Sequence, residues 1–393
     1  MAKRFLKHNG NIEPLPYIYY LIPVAAIALI GFFDSIYLAV SHYRNYTDIG
    51  YQSFCAISQA FNCDTVSQSP YSILFGVPLA VWGVMGYGFF LFLLGFAWHP
   101  AAEKKRVWTL LMVVALGFSG YSVYLAYISA YKIQSHCIMC ILSYAVSFAL
   151  FFYAMLIRNR FGSESFFQAL ASDIRYLLRF PWQSISGLFV FAFISLAMVA
   201  AFPAYWHMKT PEIGQNITTG VTENGHPWIG AENPRLTIVE FSDYRCFQCK
   251  KMHYYLRRIV EANPDQIRLV HRHFPLDHIV NPVVKEPYHQ GAAKLAIISL
   301  FALDKGKFWE VNDFLFDLPR GQTTIKLLDL ARKMNLDTGE IAYALQDRQL
   351  WEKLQKDILE ALKYELTGTP GFVIDGKMYQ AQIPSEILRP YMK

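Results

Sequence analysis

Cys137-Ile-Met-Cys140-Ile-Leu-Ser-Tyr144 places two cysteines three residues apart at the head of an apolar run that continues to about residue 157. Such a run predicts a helix long enough to cross roughly 30 Å of hydrocarbon. Side chains three or four apart share one helical face, so Tyr144 should lie one turn below Cys140. The stretch reads as a thiol pair held at one end of a membrane span, and the rest of the chain decides which end.

Four further apolar runs, near residues 17–43, 75–97, 107–131 and 184–206, are long enough to span as well. Hydrophobic residues make up 54% of the 393, too many for a wholly soluble chain, and the pattern turns polar and alternating after residue 206. The first run exceeds the h-region of a signal peptide and is followed by more spans, so it is expected to stay in the membrane. Lys3, Arg4 and Lys7 precede the first run, Lys104, Lys105 and Arg106 separate the second and third, and Arg158, Arg160, Arg175 and Arg179 separate the fourth and fifth. The positive-inside tendency puts all three segments in the cytoplasm, giving five spans with a cytoplasmic N-terminus. Everything after residue 206 then falls outside, together with Cys55, Cys63, Cys137 and Cys140. That is the compartment in which disulfides persist.

The net charge of +6 is spread along the chain rather than gathered in a basic stripe, which argues against nucleic acid as a partner. Between Phe161 and Pro181, apolar and charged residues alternate with helical spacing. The segment reads either as an amphipathic helix on the inner membrane surface or as a plain connector. Residues 207–232, rich in glycine and proline, read as a tether.

The six cysteines form three close pairs, Cys55 with Cys63, Cys137 with Cys140 and Cys246 with Cys249. Redox exchange and structural disulfides both fit such pairing, although a Cys-x-x-Cys loop is too short to constrain an unfolded chain much. A zinc site built from Cys137, Cys140, Cys246 and Cys249 would need two ligands held at the membrane surface, so no metal is expected.

Leu236 to Phe241 reads as a buried strand, Asp243-Tyr-Arg245 as a turn, and the residues after Cys246-Phe-Gln-Cys249 as a helix. Cys246 then sits at a helix N-terminus, where partial positive charge favours the thiolate, and Cys249 one turn on can resolve a mixed disulfide. The run Ile238 to Lys250 resembles the DsbA-like branch of the thioredoxin superfamily. His271-Arg-His-Phe-Pro-Leu276 is similar to that branch's second strand, and Gly368-Thr369-Pro370-Gly-Phe-Val-Ile-Asp375 to the loop whose cis-proline packs beside the active cysteines.

The resemblance covers about 160 residues and implies a helical insertion between Val283 and Leu366. It also implies a buried acid at Glu240 that assists proton transfer, although a strand glutamate facing solvent fits the residues as well. His271 and His273 are expected as strand and surface residues rather than catalysts. Phe247 and Gln248 replace the proline and histidine of the best-known oxidant of the branch, which leaves the redox potential open.

Cys55 and Cys63 stand eight residues apart, Ser69 follows six after the second, and Tyr144 stands four beyond the membrane Cys-x-x-Cys. Together these resemble the vitamin K epoxide reductase family over about 140 residues and four spans. The resemblance implies that Cys137 and Cys140 face a quinone, that Cys55 and Cys63 shuttle electrons to them, and that Ser69 and Tyr144 hydrogen-bond the quinone head group. An interfacial belt tyrosine is the plainer reading of Tyr144, and Asp64 either favours protons near the loop cysteines or caps a helix.

The expected fold is an α-helical integral membrane four-helix bundle (residues 1–157), a connector and fifth transmembrane helix (158–206), a linker (207–232) and an α/β thioredoxin-like domain (233–393). The expected activity is quinone-dependent disulfide formation in exported proteins. Electrons would run from Cys246 and Cys249 to Cys55 and Cys63, to Cys137 and Cys140, and to ubiquinone or menaquinone. The fusion suggests a bacterial inner membrane with the thioredoxin-like domain in the periplasm. Reduced exported proteins, the quinone pool and the lipid bilayer are the expected partners. Rival readings are reduction of vitamin K epoxide or quinone as the main role, outward transport of reducing power, and a membrane-anchored thioredoxin-like chaperone or isomerase.

Overall fold

The computed structural model describes residues 16–57, 60–99, 102, 105–208, 217–318 and 327–392. Lys3, Arg4, Lys7, Lys104 and residues 209–216 of the expected tether lie outside them. The chain divides into two compact units, residues 1–43 with 53–204, and residues 44–52 with 205–393.

In chain order the helical unit contains α1 (Ile18–Thr47), the short α2 (Cys63–Ser67), a two-stranded hairpin of β1 (Ile73–Leu74) and β2 (Val77–Pro78), and α3 (Leu79–Trp98). There follow α4 (Trp108–Ile128), extended by a π turn to Ile133, then α5 (Ile138–Phe161), α6 (Phe166–Leu177) and α7 (Pro181–Ala201). The five long helices are long and apolar enough to cross a membrane. Four of them share one core: Val24 and Ala28 of α1, Phe90 of α3, Leu111 and Ala115 of α4, and Leu150 and Ala154 of α5 are fully buried together. Small residues allow the close approach. A Cβ on Gly31 would meet the Tyr87 ring at 2.6 Å, and one on Gly83 would meet Ser35 Oγ at 2.6 Å. The fifth helix, α7, has no buried residue at all.

The expected amphipathic segment is helical as α6, but it does more than connect. Its Asp173 is buried and accepts hydrogen bonds from the backbone N–H of Val107, Thr109 and Leu110 at 2.8, 2.9 and 3.1 Å. It thereby satisfies the orphan donors at the start of α4. Burial pushes the carboxyl up, against those amides.

The second unit is a six-stranded sheet flanked by helices. Its elements are β3 (Thr219–Val221), β4 (Pro227–Gly230), β5 (Leu236–Ser242), α8 (Phe247–Ala262) and β6 (Ile267–His273), followed by the helices α9 (Ala292–Asp304), α10 (Phe308–Asp317), α11 (Leu327–Met334), α12 (Thr338–Ala344) and α13 (Arg348–Lys363). The chain then closes with β7 (Gly371–Ile374), β8 (Lys377–Gln380) and α14 (Ser385–Leu388). Strand order is β3-β4-β6-β5-β7-β8, with only β5 and β6 parallel. The helical insertion is thus α9 to α13.

The segment read as a tether differs from expectation. β3 and β4 form a hairpin between residues 219 and 230, and β4 pairs with β6. Its glycines serve the sheet. Gly225 takes φ +83° in the hairpin turn, and Gly230 takes φ +116° where a Cβ would lie 2.2 Å from the Ile267 carbonyl oxygen. Glycine at such positions marks tight backbone approach as readily as flexibility.

Candidate active site

β5 ends at Ser242, and the turn after it delivers Cys246 as the N-cap of α8. The Cys246 sulfur accepts the Cys249 backbone N–H at 3.4 Å and donates to the Thr369 carbonyl oxygen at 3.4 Å. Thr369-Pro370 is the cis peptide expected from the sequence. Interaction with Cys249 lowers the Cys246 thiol to about 6, with help from His289 and against burial. Cys249 is fully buried, and burial pushes its thiol up. The surroundings thus favour the thiolate at Cys246 and the protonated thiol at Cys249. His289 was not found from the sequence. It lies far along the chain, held by Asp243 at 2.8 Å, and Asp243 also accepts the backbone N–H groups of Arg245 and Leu276 at 2.6 and 2.7 Å.

Behind this pair, Glu240 is buried in the sheet and accepts hydrogen bonds from Nδ1 of His253 at 2.5 Å and of His271 at 2.7 Å. The solvent-facing reading of Glu240 is thus replaced by a buried one. Burial pushes its carboxyl up, but the two imidazoles outweigh that and hold it at about 2. His271 and His273 lie on β6 as expected, yet both are 1% exposed, so they are core rather than surface residues. Parallel pairing sets Glu240 opposite His271, and α8 brings His253 over both. A cation would find three ligand atoms here within 4.8 Å of one another. The contacts are nevertheless hydrogen-bond lengths, shorter than the roughly 3.3 Å between ligands around a tetrahedral zinc with bonds of about 2.0–2.1 Å. The three side chains are tied together here as a hydrogen-bonded cluster.

In the helical unit, Cys137 is the N-cap of α5 and its sulfur accepts the Cys140 backbone N–H at 3.1 Å. Cys55 and Cys63 are joined as a disulfide, and both are packed with Cys137 in one buried cluster against which Cys140, Leu38, Val66 and Met139 lean. Backbone bonds from Asn62 N–H to the His136 carbonyl (2.9 Å) and from His136 N–H to the Ala60 carbonyl (2.7 Å) stitch the cysteine loop to the residues before Cys137. Asn62 caps α2 by accepting the Thr65 N–H at 3.0 Å. Asp64 instead accepts the Ser53 N–H at 3.0 Å, which closes the loop across the disulfide.

Ser69 is buried and donates its hydroxyl to the Val66 carbonyl at 2.8 Å, which leaves its lone pairs for a ligand. Tyr144 lies on α5 one turn from Cys140, half-buried, and among the described residues nothing hydrogen-bonds its hydroxyl. Around it Ile138, Ile141, Leu142 and Phe148 are exposed. An apolar surface, an available phenol and a half-buried thiol suit a lipid-soluble carbonyl compound.

One residue of this region was missed. Asp34 on α1 is the sole Asp, Glu, Lys or Arg in the five apolar runs 17–43, 75–97, 107–131, 137–157 and 184–206. That solitary charge was the available signal.

Residues 22–155 match the model of the Vitamin K epoxide reductase family, and residues 222–393 match a Thioredoxin model. The chain joins a vitamin K epoxide reductase family domain to a thioredoxin-like domain. Among curated proteins, 159 residues are 29% identical to Na(+)/H(+) antiporter NhaA 1 of Salinispora arenicola, covering 40% of this chain and 23% of that protein. The chain thus spans about a quarter of that relative's length. Similar solved structures include a thioredoxin-like oxidoreductase from Silicibacter pomeroyi, 24% identical with a TM-score of 0.36 over 43% of this chain and 91% of that one. The thiol-disulfide exchange protein alpha-DsbA2 of Wolbachia pipientis is 19% identical, with a TM-score of 0.34 over 42% of this chain and 84% of its own.

Proposed function

We propose that the protein is a membrane thiol-disulfide oxidoreductase that forms disulfides in exported proteins and passes the electrons to a membrane quinone. The observation that carries this reading is the buried cluster in which the Cys55–Cys63 disulfide packs against Cys137, with Cys140 beside it. A pair that only stapled a loop would have no reason to touch a free thiol. Here the contact permits thiolate attack of Cys137 on the loop disulfide and the reverse.

A reduced substrate gives two electrons to Cys246 and Cys249, with Cys246 as the attacking or attacked sulfur because its thiolate is the stable one. Thr369 and Pro370 border that sulfur and orient the substrate chain. The Glu240 cluster takes part in moving the Cys249 proton. The loop pair and then the membrane pair receive the electrons. A quinone, ubiquinone or menaquinone, supplies a two-electron, two-proton acceptor at Cys140, where Tyr144 donates a hydrogen bond and Ser69 helps hold the head group. The distribution of Lys and Arg supports an N-terminus inside and a thioredoxin-like domain outside the inner membrane of a bacterium. On this reading the membrane catalytic domain, residues 1–157, is joined through 158–206 to a thioredoxin-like domain that begins with the β3–β4 hairpin rather than at residue 233.

The test is anaerobic quinone reduction by purified protein given a reduced, unfolded cysteine substrate. Cys140→Ser and Cys249→Ser are each expected to abolish quinone-linked oxidation. Full activity in Cys140→Ser would overturn the relay and leave the soluble domain working alone.

A further inference from the structure

Asp34 is 5% exposed although it sits in a helix long and apolar enough to span a membrane. It therefore points into the bundle rather than toward lipid. One carboxyl oxygen, Oδ2, accepts a hydrogen bond from the Ser143 hydroxyl of α5, while Oδ1 is buried with no hydrogen-bond partner. No ion pair reaches it among the described residues.

The position is not accidental to the packing. Gly31, one turn before Asp34, brings α1 against Tyr87 of α3 and Val146 of α5, and the adjacent Ser35 fits over Gly83. Ser143 stands three residues after Cys140, on the same face of α5. Below it Ser147 donates to the Ser143 carbonyl at 2.9 Å, and its hydroxyl lies 3.1 Å from that of Tyr87. A carboxyl in this place has no cation to neutralise it, so a proton is the counter-charge it can take. Ionisable groups buried among spans are costly, and where they occur they commonly handle ions or protons.

We propose that Asp34 is the proton-holding residue of the membrane thiol pair, taking the Cys140 proton and releasing it toward the bound oxidant through Ser143. The proposal rests on the quinone relay above. When the Cys137–Cys140 bond forms, two S–H bonds break, two electrons pass to the quinone, and two protons must reach its two oxygens. Asp34 holds the Cys140 proton while the pair is reduced and gives it up when the disulfide forms and the quinone is reduced, and the next reduction of the pair returns it. The other comes from Cys137. Nothing is gained or lost overall.

The experiment uses the full-length protein in lipid nanodiscs. Reduced-minus-oxidised infrared spectra, taken by dithiol reduction of the Cys137–Cys140 pair without quinone, are expected to show a carboxyl band that is lost in Asp34→Asn and shifted in Asp34→Glu. The rate of ubiquinone-1 reduction should fall about a hundred-fold in Asp34→Asn. It should recover in part in Asp34→Glu, and its pH profile should change in both variants. The titratable groups whose fields reach Asp34 are Cys140 on α5 and Tyr87 on α3, so the profile is compared in a Tyr87→Phe background. Disulfide exchange at Cys246 serves as the unaffected control. A wild-type spectrum with no carboxyl band, or an Asp34→Asn protein with the wild-type rate and pH profile, overturns the proposal. Wild-type protein that shows the band yet leaves quinone oxidised would overturn the relay instead.

Discussion

The two Cys-x-x-Cys pairs share one local device and differ in everything around it. In each, the first sulfur caps a helix by accepting the second cysteine's backbone N–H, at 3.1 Å for Cys137 and 3.4 Å for Cys246. In the soluble unit that device is surrounded by charge, with Asp243 and His289 beside it and Glu240, His253 and His271 behind. In the membrane unit it meets a disulfide on one side and apolar side chains on the other, with Asp34 on α1 and Asp64 beside the disulfide as carboxyls near by. The motif fixes the attacking geometry, whereas the surroundings decide what each pair can exchange with. The exposed member also changes places. Cys246 is the more accessible of its pair, but Cys137 is buried on the loop disulfide and Cys140 is the more open. Under the proposed relay, this suits a first pair that meets proteins with its first sulfur and a second pair that meets a lipid-soluble acceptor with its second.

The contrast can be broken at several points. The largest expected effect is from Glu240→Gln, which leaves two buried imidazoles without their carboxylate and should destabilise the thioredoxin-like unit by about 3–5 kcal/mol, read by chemical denaturation. In the wild type the folded carboxyl lies below its unfolded value. Its contribution should therefore be fully present above about pH 4.5 and fade as the pH falls toward about 2. A denaturation midpoint flat across that window would argue that the cluster is neutral. Next in size, His289→Gln removes a neighbour that favours the Cys246 thiolate and should cut its alkylation rate near pH 6 several-fold, while leaving Cys140 alkylation unchanged. Equal effects on both pairs would mean that His289 acts through the fold rather than locally. The smallest is Asn62→Ala, which takes the cap from α2 at a cost of about 1 kcal/mol. It should speed reduction of Cys55–Cys63 by a small thiol several-fold.

Much of this was legible in the residues, for identifiable reasons. Apolar runs and cysteine spacing are local signals, so the spans, the strand leading to Cys246 and the loop at Pro370 could be read directly. The partners that tune the site come from far along the chain. His289 reaches a turn 46 residues earlier, and Asp173 caps a helix that begins more than 60 residues before it. Spacing cannot disclose such contacts. The β3–β4 hairpin was hidden for another reason, since glycine at Gly225 and Gly230 serves a tight turn and a close strand crossing but has the composition of a linker. Asp34 was visible all along as a lone charge in apolar sequence, and only its burial shows that it faces inward.

The absence of any buried residue on α7 has a consequence for how this chain can vary. A helix that meets its own protein only along a narrow seam, where Gly187 lies close against Phe92 and Phe191 packs on Phe89, is constrained over the rest of its circumference by greasiness and length, not by shape. Its positions away from that seam should tolerate reshuffling of the same apolar residues with little loss. Comparable shuffling of α5 would scatter Cys140, Ser143 and Tyr144 around the helix and erase the face they share. Mutational drift should therefore run fast along one span and nearly stand still along another, giving a record of which helices carry chemistry and which merely carry the chain across.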